Sequence, residues 1–198
     1  MSESEEYEFE YSEEEEELDD EEVKLENLYY DSKSILEEEK DKAEVGFRKI
    51  IESEQEPSIW SFKALKKLCK VYCFHLENEK LISTYQELLR CIKRSVVTRA
   101  VSEKGINSIL NKLQKNIINN KTSWHVFEKI YEMTLEAAKE IRNDRLWIKT
   151  YLTLGNLYAE MGQFDKLTVV LRNLHNAHEN AKQNNNNNNN DNNNNINN

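Results

Sequence analysis

The segment that most constrains the fold is residues 142–167, RNDRLWIKTYLTLGNLYAEMGQFDKL, because apolar residues recur with helical spacing on both sides of a glycine. The first apolar face holds Tyr151, Leu154, Gly155 and Tyr158, and the second holds Phe164, Leu167, Val170 and Leu171. Gly162 suits the left-handed conformation that ends a helix, and we expect Trp147 at a helix interface. A lone helical hairpin cannot bury its apolar face, so the pattern predicts further hairpins stacked against this one.

The same periodicity runs through the middle of the chain, which holds a single proline and four glycines. It predicts helices near residues 25–37, 41–54, 58–76, 79–95, 99–117, 123–141, 144–161 and 164–180. Pro57 suits the first turn of the third helix, and Thr122 or Ser123 suits the cap of the sixth. The predicted fold is therefore all-α, an α-solenoid of about four tetratricopeptide-like helical hairpins, which favours a binding scaffold over an enzyme.

The two ends of the chain have a different composition from its middle. Residues 1–26 hold fifteen Asp or Glu and one Lys, residues 183–198 are almost entirely Asn, and residues 27–182 carry a net charge of +5. Runs of like charge and polar homopolymers bury too little apolar surface to offset the entropy of ordering. We expect a disordered acidic arm over residues 1–24, a helical-repeat domain over 25–180 and a disordered Asn-rich tail over 183–198.

The sequence shows no pattern that carries catalysis or binds a metal. Cys69, Cys73 and Cys91 are an odd number of cysteines in a long helical chain, which argues against a disulfide framework and favours buried thiols. His75 does not share the helical face of Cys69 and Cys73, so a zinc site is not predicted. No catalytic residue is proposed. The chain has neither a signal-peptide pattern nor an apolar run of membrane-spanning length, which predicts a soluble intracellular protein of the cytoplasm, the nucleus or both, since composition does not choose between them.

One group of side chains has a spacing that suggests binding. Lys63, Lys66, Lys67 and Lys70 occupy positions i, i+3, i+4 and i+7 of one predicted helix, which places four ammonium groups on one face. This lysine face is either an ordinary solvated helix surface or a site for a polyanion, such as phosphates or an acidic protein surface. Nucleic acid is not an expected partner, because no exposed aromatics alternate with the basic residues. Residues that would widen the patch at the next helix junction are Lys93, Arg94 and Arg99.

Several long segments resemble, in order, the N-terminal part of a known family. These are LENLYYDSK (25–33), WSFKALKKL (60–68), RSVVTRAVSEKGINSIL (94–110) and YEMTLEAAKEIRNDRLWIKT (131–150), preceded by EFEYSEEE in the acidic arm. The family is that of the second subunit of the COP nine signalosome. The resemblance implies a helical-repeat scaffold in a complex that removes the ubiquitin-like Nedd modifier from cullins, with the isopeptidase on a different subunit. It implies other signalosome subunits, a cullin and the cullin's RING partner as binding partners, and no membrane.

The resemblance also assigns a role to one residue of the lysine face. Lys63 matches a family lysine in FKALK that helps bind inositol hexakisphosphate, a polyanion that joins the subunit to the basic cullin surface. A second basic residue, which the family has just upstream of Trp60, is replaced by the sequence EQEPSIW with Glu56 and Pro57. We expect no required cofactor. The ligand that the resemblance implies is inositol hexakisphosphate, with either a reduced affinity or a rearranged site.

Family members continue through further repeats into a C-terminal PCI domain, which this sequence does not contain. Because that domain holds family members in the complex, the sequence leaves several expectations open. The chain assembles into the signalosome, or it is a truncated duplicate that retains cullin binding, a fragment or a nonfunctional product. A function of a different class is an acidic nuclear interaction protein or transcriptional corepressor, in which the acidic arm engages basic chromatin proteins.

Overall fold

A computed structural model describes residues 20–119 and 123–194, and within these ranges the chain forms eight α-helices and no strand. The helices are α1 (Asp20–Ser34), α2 (Lys40–Ser53), α3 (Ile59–His75), α4 (Asn78–Lys93), α5 (Arg99–Ile118), α6 (Trp124–Glu140), α7 (Asp144–Glu160) and α8 (Phe164–Asn194). The predicted all-α class and the order of eight helices are confirmed. Within the described ranges, no helix is long and apolar enough to cross a membrane.

The helices form stacked hairpins in two layers. Short connections place α1 beside α2, α3 beside α4, α6 beside α7 and α7 beside α8. Between hairpins, α1 and α5 pack on either side of α3, and α4 packs on α6. The odd-numbered helices α1, α3 and α5 thus follow one another in one layer and the even-numbered helices α4 and α6 in the other, as expected for a solenoid.

The core runs without interruption from α2 to α8. It is filled by large side chains with no solvent exposure, among them Phe47, Phe62, Tyr85, Phe127 and Tyr131. The hydroxyl groups of Tyr85 and Thr134 lie 2.7 Å apart, so a buried hydrogen bond joins α4 to α6. Burial of this continuous apolar surface is the main force that holds the hairpins together.

Four of the eight described helices, α3, α5, α6 and α7, begin with a side-chain cap. The Ser58 hydroxyl accepts hydrogen bonds from the N–H groups of Trp60 and Ser61, which makes Ser58 the cap of α3. Pro57 therefore precedes the cap. The expectation that it lies in the first turn of the third helix is wrong. Ser123 caps α6 through the N–H of Val126, whereas the alternative, Thr122, lies outside the described residues.

The end of α7 depends on the predicted glycine. Gly162 has φ = 68°, a left-handed conformation that costs glycine little because it lacks a Cβ. Leu76, Ser95 and Arg142 adopt the same conformation after α3, α4 and α6 without that freedom. The chain thus turns between helices in one recurring way, and only one of these turns has the glycine that makes it recognisable in the sequence.

A three-residue contact occurs twice in the solenoid. In each case a tyrosine hydroxyl donates to a glutamate of the preceding helix, and a lysine of the following helix pairs with the same glutamate. The two sets, which we call the tyrosine triads, are Glu44, Tyr72 and Lys80 in α2 to α4, and Glu128, Tyr158 and Lys166 in α6 to α8. The members of the second set lie 84–86 residues after those of the first. The two halves of the solenoid therefore share a repeat of two hairpins.

The ends of the helical region differ from the predicted boundaries. Helix α1 begins at Asp20, so residues 20–24, expected in the acidic arm, form its first turns. Helix α8 continues to Asn194, whereas we expected the helix to end near residue 180 and the tail to lack structure from residue 183. Once a helix is nucleated, each added residue gains one backbone hydrogen bond, which explains how a helix extends into weakly helix-forming sequence. Residues 1–19 and 195–198 of the predicted arm and tail lie outside the described residues.

Candidate polyanion-binding site

The four predicted lysines lie on α3, a helix with neighbours on several sides. Helices α1, α2, α4 and α5 all contact α3, and its apolar face is fully buried. Lys63, Lys66, Lys67 and Lys70 are half-buried, so their aliphatic stems lie along neighbouring helices. Their charges are therefore held closer to the protein than those of lysines on a fully solvated helix face.

Lys63 is positioned by an aromatic platform. Its Nζ atom lies 3.5 Å from the centroid of the Trp60 ring, well within the range of a cation–π contact. Trp60 is only 4% exposed, and the rings of Tyr29 and Tyr30 in α1 lie 5.7 and 6.2 Å from it. The platform thus fixes the ammonium group of Lys63 while leaving it free of any carboxylate partner among the described residues.

Lys66 faces α5 and three other cations. A Cβ built on Gly105 would lie 2.9 Å from Cζ of Phe62 and 3.4 Å from Cδ of Lys66, so only glycine allows α5 to approach this closely. Burial lowers the pKa of Lys66, and the charges of Lys70, Lys63 and Lys104 lower it further. This side of α3 therefore concentrates positive charge contributed by two helices.

Lys67 faces the other side, towards α1. Burial lowers its pKa, and the charges of Lys33 and Lys70 lower it further, whereas the carboxylate of Glu37 acts in the opposite direction. Lys70 acts on both Lys66 and Lys67, so the two sides belong to one electrostatic group. We call this group the lysine cluster; its members are Lys33, Lys63, Lys66, Lys67, Lys70 and Lys104.

No member of the lysine cluster forms an ion pair with a carboxylate in the described ranges, and Glu37 acts on Lys67 only from a longer distance. Ion pairs within 4.0 Å involve other cations, such as Lys40, Arg48 and Lys80, and none of the six lysines. Mutual repulsion among uncompensated cations costs free energy in the folded state, and a bound anion would relieve it. The cluster therefore has the chemistry to bind a polyanion.

The three residues expected to widen the patch have partners within the protein. Lys93 pairs with Glu140, and Arg94 pairs with Glu56. Arg99 donates to the backbone carbonyl oxygens of Ile141 and Arg142 at 3.5 and 3.4 Å. Their charges are offset locally, unlike those of the lysine cluster.

Two members of the cluster were not identified from the sequence. Lys33 and Lys104 lie 30 or more residues from the nearest lysine of α3, and only the packing of α1 and α5 brings them to it. Packing also produces a contact outside the cluster that the sequence did not indicate, the ion pair of Arg94 with Glu56. It places a guanidinium group next to Glu56, just upstream of Trp60, where the resemblance leads us to expect a basic residue.

The cysteines and the histidine considered for metal binding differ in solvent exposure. Cys69, Cys73 and Cys91 are buried free thiols, whereas His75 is exposed. Burial raises the pKa of the Cys73 and Cys91 thiols to about 11, which keeps them protonated and unreactive near neutral pH. In the described part of the chain, no group of three or more side chains is arranged to hold a metal ion.

A second surface is the cleft formed by α6, α7 and α8, with a volume of about 1030 Å³. Its apolar floor includes Trp147, Tyr151, Leu154 and Val170. Trp147 is half-buried there, with its ring 4.5 Å from that of Tyr151, and so is less enclosed than the core position we expected. The rim carries charges of both signs, since Glu128, Glu132 and Glu136 of α6 alternate with Lys129 and Lys139. Glu128 and Glu132 form ion pairs with Lys166 and Lys129. The solenoid therefore offers a basic surface near its beginning and an apolar cleft with a rim of mixed charge near its end.

Comparison with known proteins supports the resemblance seen in the sequence segments. The chain is 40% identical over 174 residues to COP9 signalosome complex subunit 2 of Drosophila melanogaster, covering 87% of this chain and 37% of that protein. For the proteins of the same name, identity is 37% in Caenorhabditis elegans, over 88% of this chain and 34% of the relative. In Dictyostelium discoideum it is 31%, over 79% of this chain and 34% of the relative. The chain thus spans about a third of the length of these relatives. No protein-family model matches it.

Proposed function

We propose that this chain, which is related to COP9 signalosome complex subunit 2 over most of its own length, is a non-catalytic signalosome-type scaffold. In this role it binds a cullin and the cullin's RING partner so that another subunit can remove the ubiquitin-like Nedd modifier. The similarity to relatives named as subunits of that complex is the observation that carries the proposal. We propose other signalosome subunits as partners, and the cytoplasm and nucleus as its location.

The architecture is consistent with a scaffold. An α-solenoid exposes long surfaces built from successive helices, and large partners bind to such surfaces. Here the lysine cluster spans α1, α3 and α5, and the cleft spans α6, α7 and α8. Two surfaces of different chemistry, joined by one continuous core, allow two components to be held at once.

Affinity purification of the tagged full chain, followed by mass spectrometry, tests the scaffold proposal. Recovery of signalosome subunits together with a cullin is the expected result. Recovery of a cullin alone would favour a duplicate that acts outside the complex. Recovery of basic chromatin proteins instead, lost when residues 1–19 are deleted, would favour the acidic nuclear corepressor. Recovery of neither a cullin nor signalosome subunits would overturn the proposal.

We also propose that the lysine cluster binds inositol hexakisphosphate. The support is a set of six ammonium groups from three helices that form no ion pair among the described residues, with Lys63 held on Trp60. Charge-assisted hydrogen bonds to phosphate contribute about 1.5–3 kcal/mol each, so two or three of them provide micromolar affinity. Such binding weakens as salt rises, because most of the ammonium groups remain in contact with solvent.

Calorimetry on the full chain tests this site. The double variant Lys66→Gln, Lys70→Gln removes two central charges and keeps polar side chains that fit beside Gly105. Loss of about 3 kcal/mol predicts binding weaker by about 100-fold or more. Lys63 is unsuitable for charge reversal, because a carboxylate would replace the cation on the Trp60 ring.

Lys149→Gln is the matched control, since Lys149 is an exposed lysine of α7 without an ion pair among the described residues. It should bind as the wild type does. Equal affinity for the double variant and the wild type, or no heat from the wild type at low salt, would contradict the site.

A further inference from the structure

We propose that residues 1–19, the part of the acidic arm that precedes α1 and is called the arm from here on, bind back onto the lysine cluster of their own chain and compete there with polyphosphate. The competition with polyphosphate rests on the proposed ligand site, whereas the contact between arm and cluster does not. The arm would act as a built-in occupant that must leave before an external polyanion binds.

The charges of the two segments are complementary. The arm contains eleven Asp or Glu and no Lys or Arg, and five of its glutamates are consecutive at residues 13–17. The cluster contains six ammonium groups without a carboxylate partner among the described residues. Several weak surface pairs formed together are worth more than one pair alone, because the first contact raises the local concentration of the others.

The dimensions also match. From Lys63 to Lys70 the helix rises about 10 Å, at about 1.5 Å per residue. Five consecutive extended residues span about 14 Å between their ends, at about 3.4 Å per residue. The run of five glutamates is therefore long enough to lie along the lysines of α3.

The arm is joined to the fold at a suitable place. It enters α1 at Asp20, and α1 runs beside the start of α3, where Tyr29 and Tyr30 contact Trp60. From Asp20 to Tyr30 the helix rises about 15 Å. The seven residues 13–19 reach about 24 Å when extended. At full extension Glu17 lies about 10 Å and Glu13 about 24 Å from Asp20. Glu13, Glu14 and Glu15 can therefore pass the level of Tyr30 and reach Lys63 and the lysines next to it by running back alongside α1.

Because the arm and the cluster belong to one chain, the effective concentration of the arm at the cluster sets how much it raises the apparent Kd of an external ligand. A short tether gives an effective concentration in the mM range, which is enough for weak contacts to be occupied most of the time. When the arm covers the cluster for about two-thirds to nine-tenths of the time, the apparent Kd for an external ligand rises about 3-fold to 10-fold.

The first test measures inositol hexakisphosphate binding to full-length variants by calorimetry at low salt. In the arm variant, each of the five glutamates at residues 13–17 is replaced by Gln, and its Kd should be about 3-fold to 10-fold lower than that of the wild type. A control variant removes five charges from exposed positions of the folded region that lie outside its ion pairs. These replacements are Glu52→Gln, Glu79→Gln, Glu136→Gln, Glu160→Gln and Asp165→Asn.

The control variant shows whether a change in affinity comes from loss of the contact between arm and cluster or only from the change in net charge. If the arm acts by binding the cluster, the control variant should bind within about 2-fold of the wild type, because its charges lie away from the lysines and are screened by salt. If both variants tighten binding equally, general electrostatics explain the effect and the proposal is overturned. If neither variant changes a measurable affinity, the competition is likewise overturned.

The second test needs no ligand and so distinguishes failure of the arm proposal from failure of the polyphosphate site. Brief acetylation of the full chain, followed by mass spectrometry, reports the reactivity of individual lysines. In the arm variant the lysines of α3 should react at least about 2-fold faster than in the wild type, relative to Lys149 as internal reference. Unchanged reactivity would overturn the arm contact, whatever inositol hexakisphosphate does. Raised reactivity without any phosphate binding would support the contact and reject only the phosphate site.

Discussion

The lysines of α3 carry their charges in an unusual setting for surface residues. Their stems are half-buried, one ammonium group lies on a tryptophan ring, and two have a lowered pKa because burial and neighbouring cations disfavour the charged form. Lys66 and Lys67 therefore cost folding free energy at neutral pH, where both are charged in the folded and the unfolded chain. An anion that binds them relieves part of this cost.

The lowered pKa values predict that polyphosphate binding takes up protons at high pH. In the free protein Lys66 and Lys67 lose their protons below the ordinary lysine pKa of 10.5, and a bound polyanion raises their pKa again. At pH 7 all forms are protonated, so binding takes up no proton there. Near pH 10, binding should take up protons and its affinity should fall as pH rises. Calorimetry in buffers with different ionisation enthalpies measures the uptake. Uptake per bound ligand that is undiminished in each of the single variants Lys66→Gln and Lys67→Gln would contradict this assignment.

The same shifts fix the sign of the pH dependence of stability. Between the lowered folded-state pKa and 10.5, the unfolded chain binds more protons than the folded chain at these two lysines. Their contribution to the free energy of unfolding therefore rises with pH in this window. Below the window, the cost of holding both lysines charged is present in full.

Trp147 should contribute less to stability than a core aromatic. Truncation of a buried Phe or Trp to Ala typically costs about 3–5 kcal/mol. Because Trp147 is half-buried in the cleft, we expect Trp147→Ala to lower the free energy of unfolding by about 2 kcal/mol. Phe127→Ala is the comparison, since Phe127 has 0% exposure and should show the full cost. Equal losses for the two variants in urea unfolding would show that Trp147 acts as a core residue.

At the scale of helices, the tyrosine triads show how neighbouring hairpins are fixed to one another. In the first triad the Tyr72 hydroxyl donates to Glu44 Oε1 at 2.9 Å, and in the second the Tyr158 hydroxyl donates to Glu128 Oε1 at 3.0 Å. In both, the lysine ammonium lies within 6 Å of the tyrosine ring, at 5.4 and 5.7 Å. Each triad connects three consecutive helices through one carboxylate, which sets the rotation of the outer helices about the middle one.

Removal of either triad hydroxyl should weaken the fold by a similar amount. Tyr72→Phe and Tyr158→Phe each remove one hydrogen bond to a charged acceptor, so we expect each to lower the free energy of unfolding by about 1.5 kcal/mol. Because the triads lie in different hairpins, the effects should add within about 0.5 kcal/mol. Tyr30→Phe is the control, since the Tyr30 ring is 50% exposed and its hydroxyl forms no hydrogen bond to described residues. Strongly unequal losses at Tyr72 and Tyr158 would show that the triads are not equivalent.

At the scale of the whole molecule, the described helices share one core. Buried residues form a single connected cluster from Ala43 in α2 to Val170 in α8, without a polar gap that would divide the solenoid. Repeat proteins gain stability mainly from interfaces between neighbouring repeats, so a short array with a continuous core unfolds as a unit.

We therefore expect one cooperative unfolding transition. The tryptophans report on different places, with Trp60 in α3, Trp124 in α6 and Trp147 in α7. Urea unfolding followed by tryptophan fluorescence and by far-UV circular dichroism should give coincident curves. Phe47→Ala, in α2, should shift both curves together, because the lost packing weakens the common core. Two separated transitions in that variant would show that the halves of the solenoid unfold independently.

The sequence alone was sufficient for the all-α class, the order of the helices and most of their bounds. These depend on local properties, since helical hydrogen bonds join residues four apart and the apolar period of 3.6 is visible in any single helix. The glycine at position 162 and the cap at Ser123 were readable for the same reason. The bounds of α2 to α7 were predicted to within about two residues, whereas α1 begins earlier and α8 ends later than predicted. Composition predicts that a segment is disordered on average, but it does not fix the residue at which a helix begins or ends.

The lysine cluster was decided partly by the sequence and partly by packing. The spacing placed Lys63, Lys66, Lys67 and Lys70 on one face, but it did not show their burial or the aromatic platform beneath Lys63. Lys33 and Lys104 join the cluster, and Arg94 reaches Glu56, only because helices distant in sequence cross at particular rotations. Those rotations are set by the fit of whole helix surfaces, such as Gly105 against Phe62, which no local pattern encodes. Polyanion binding by the cluster stays a prediction, whereas the position of each lysine is a property of the tertiary structure.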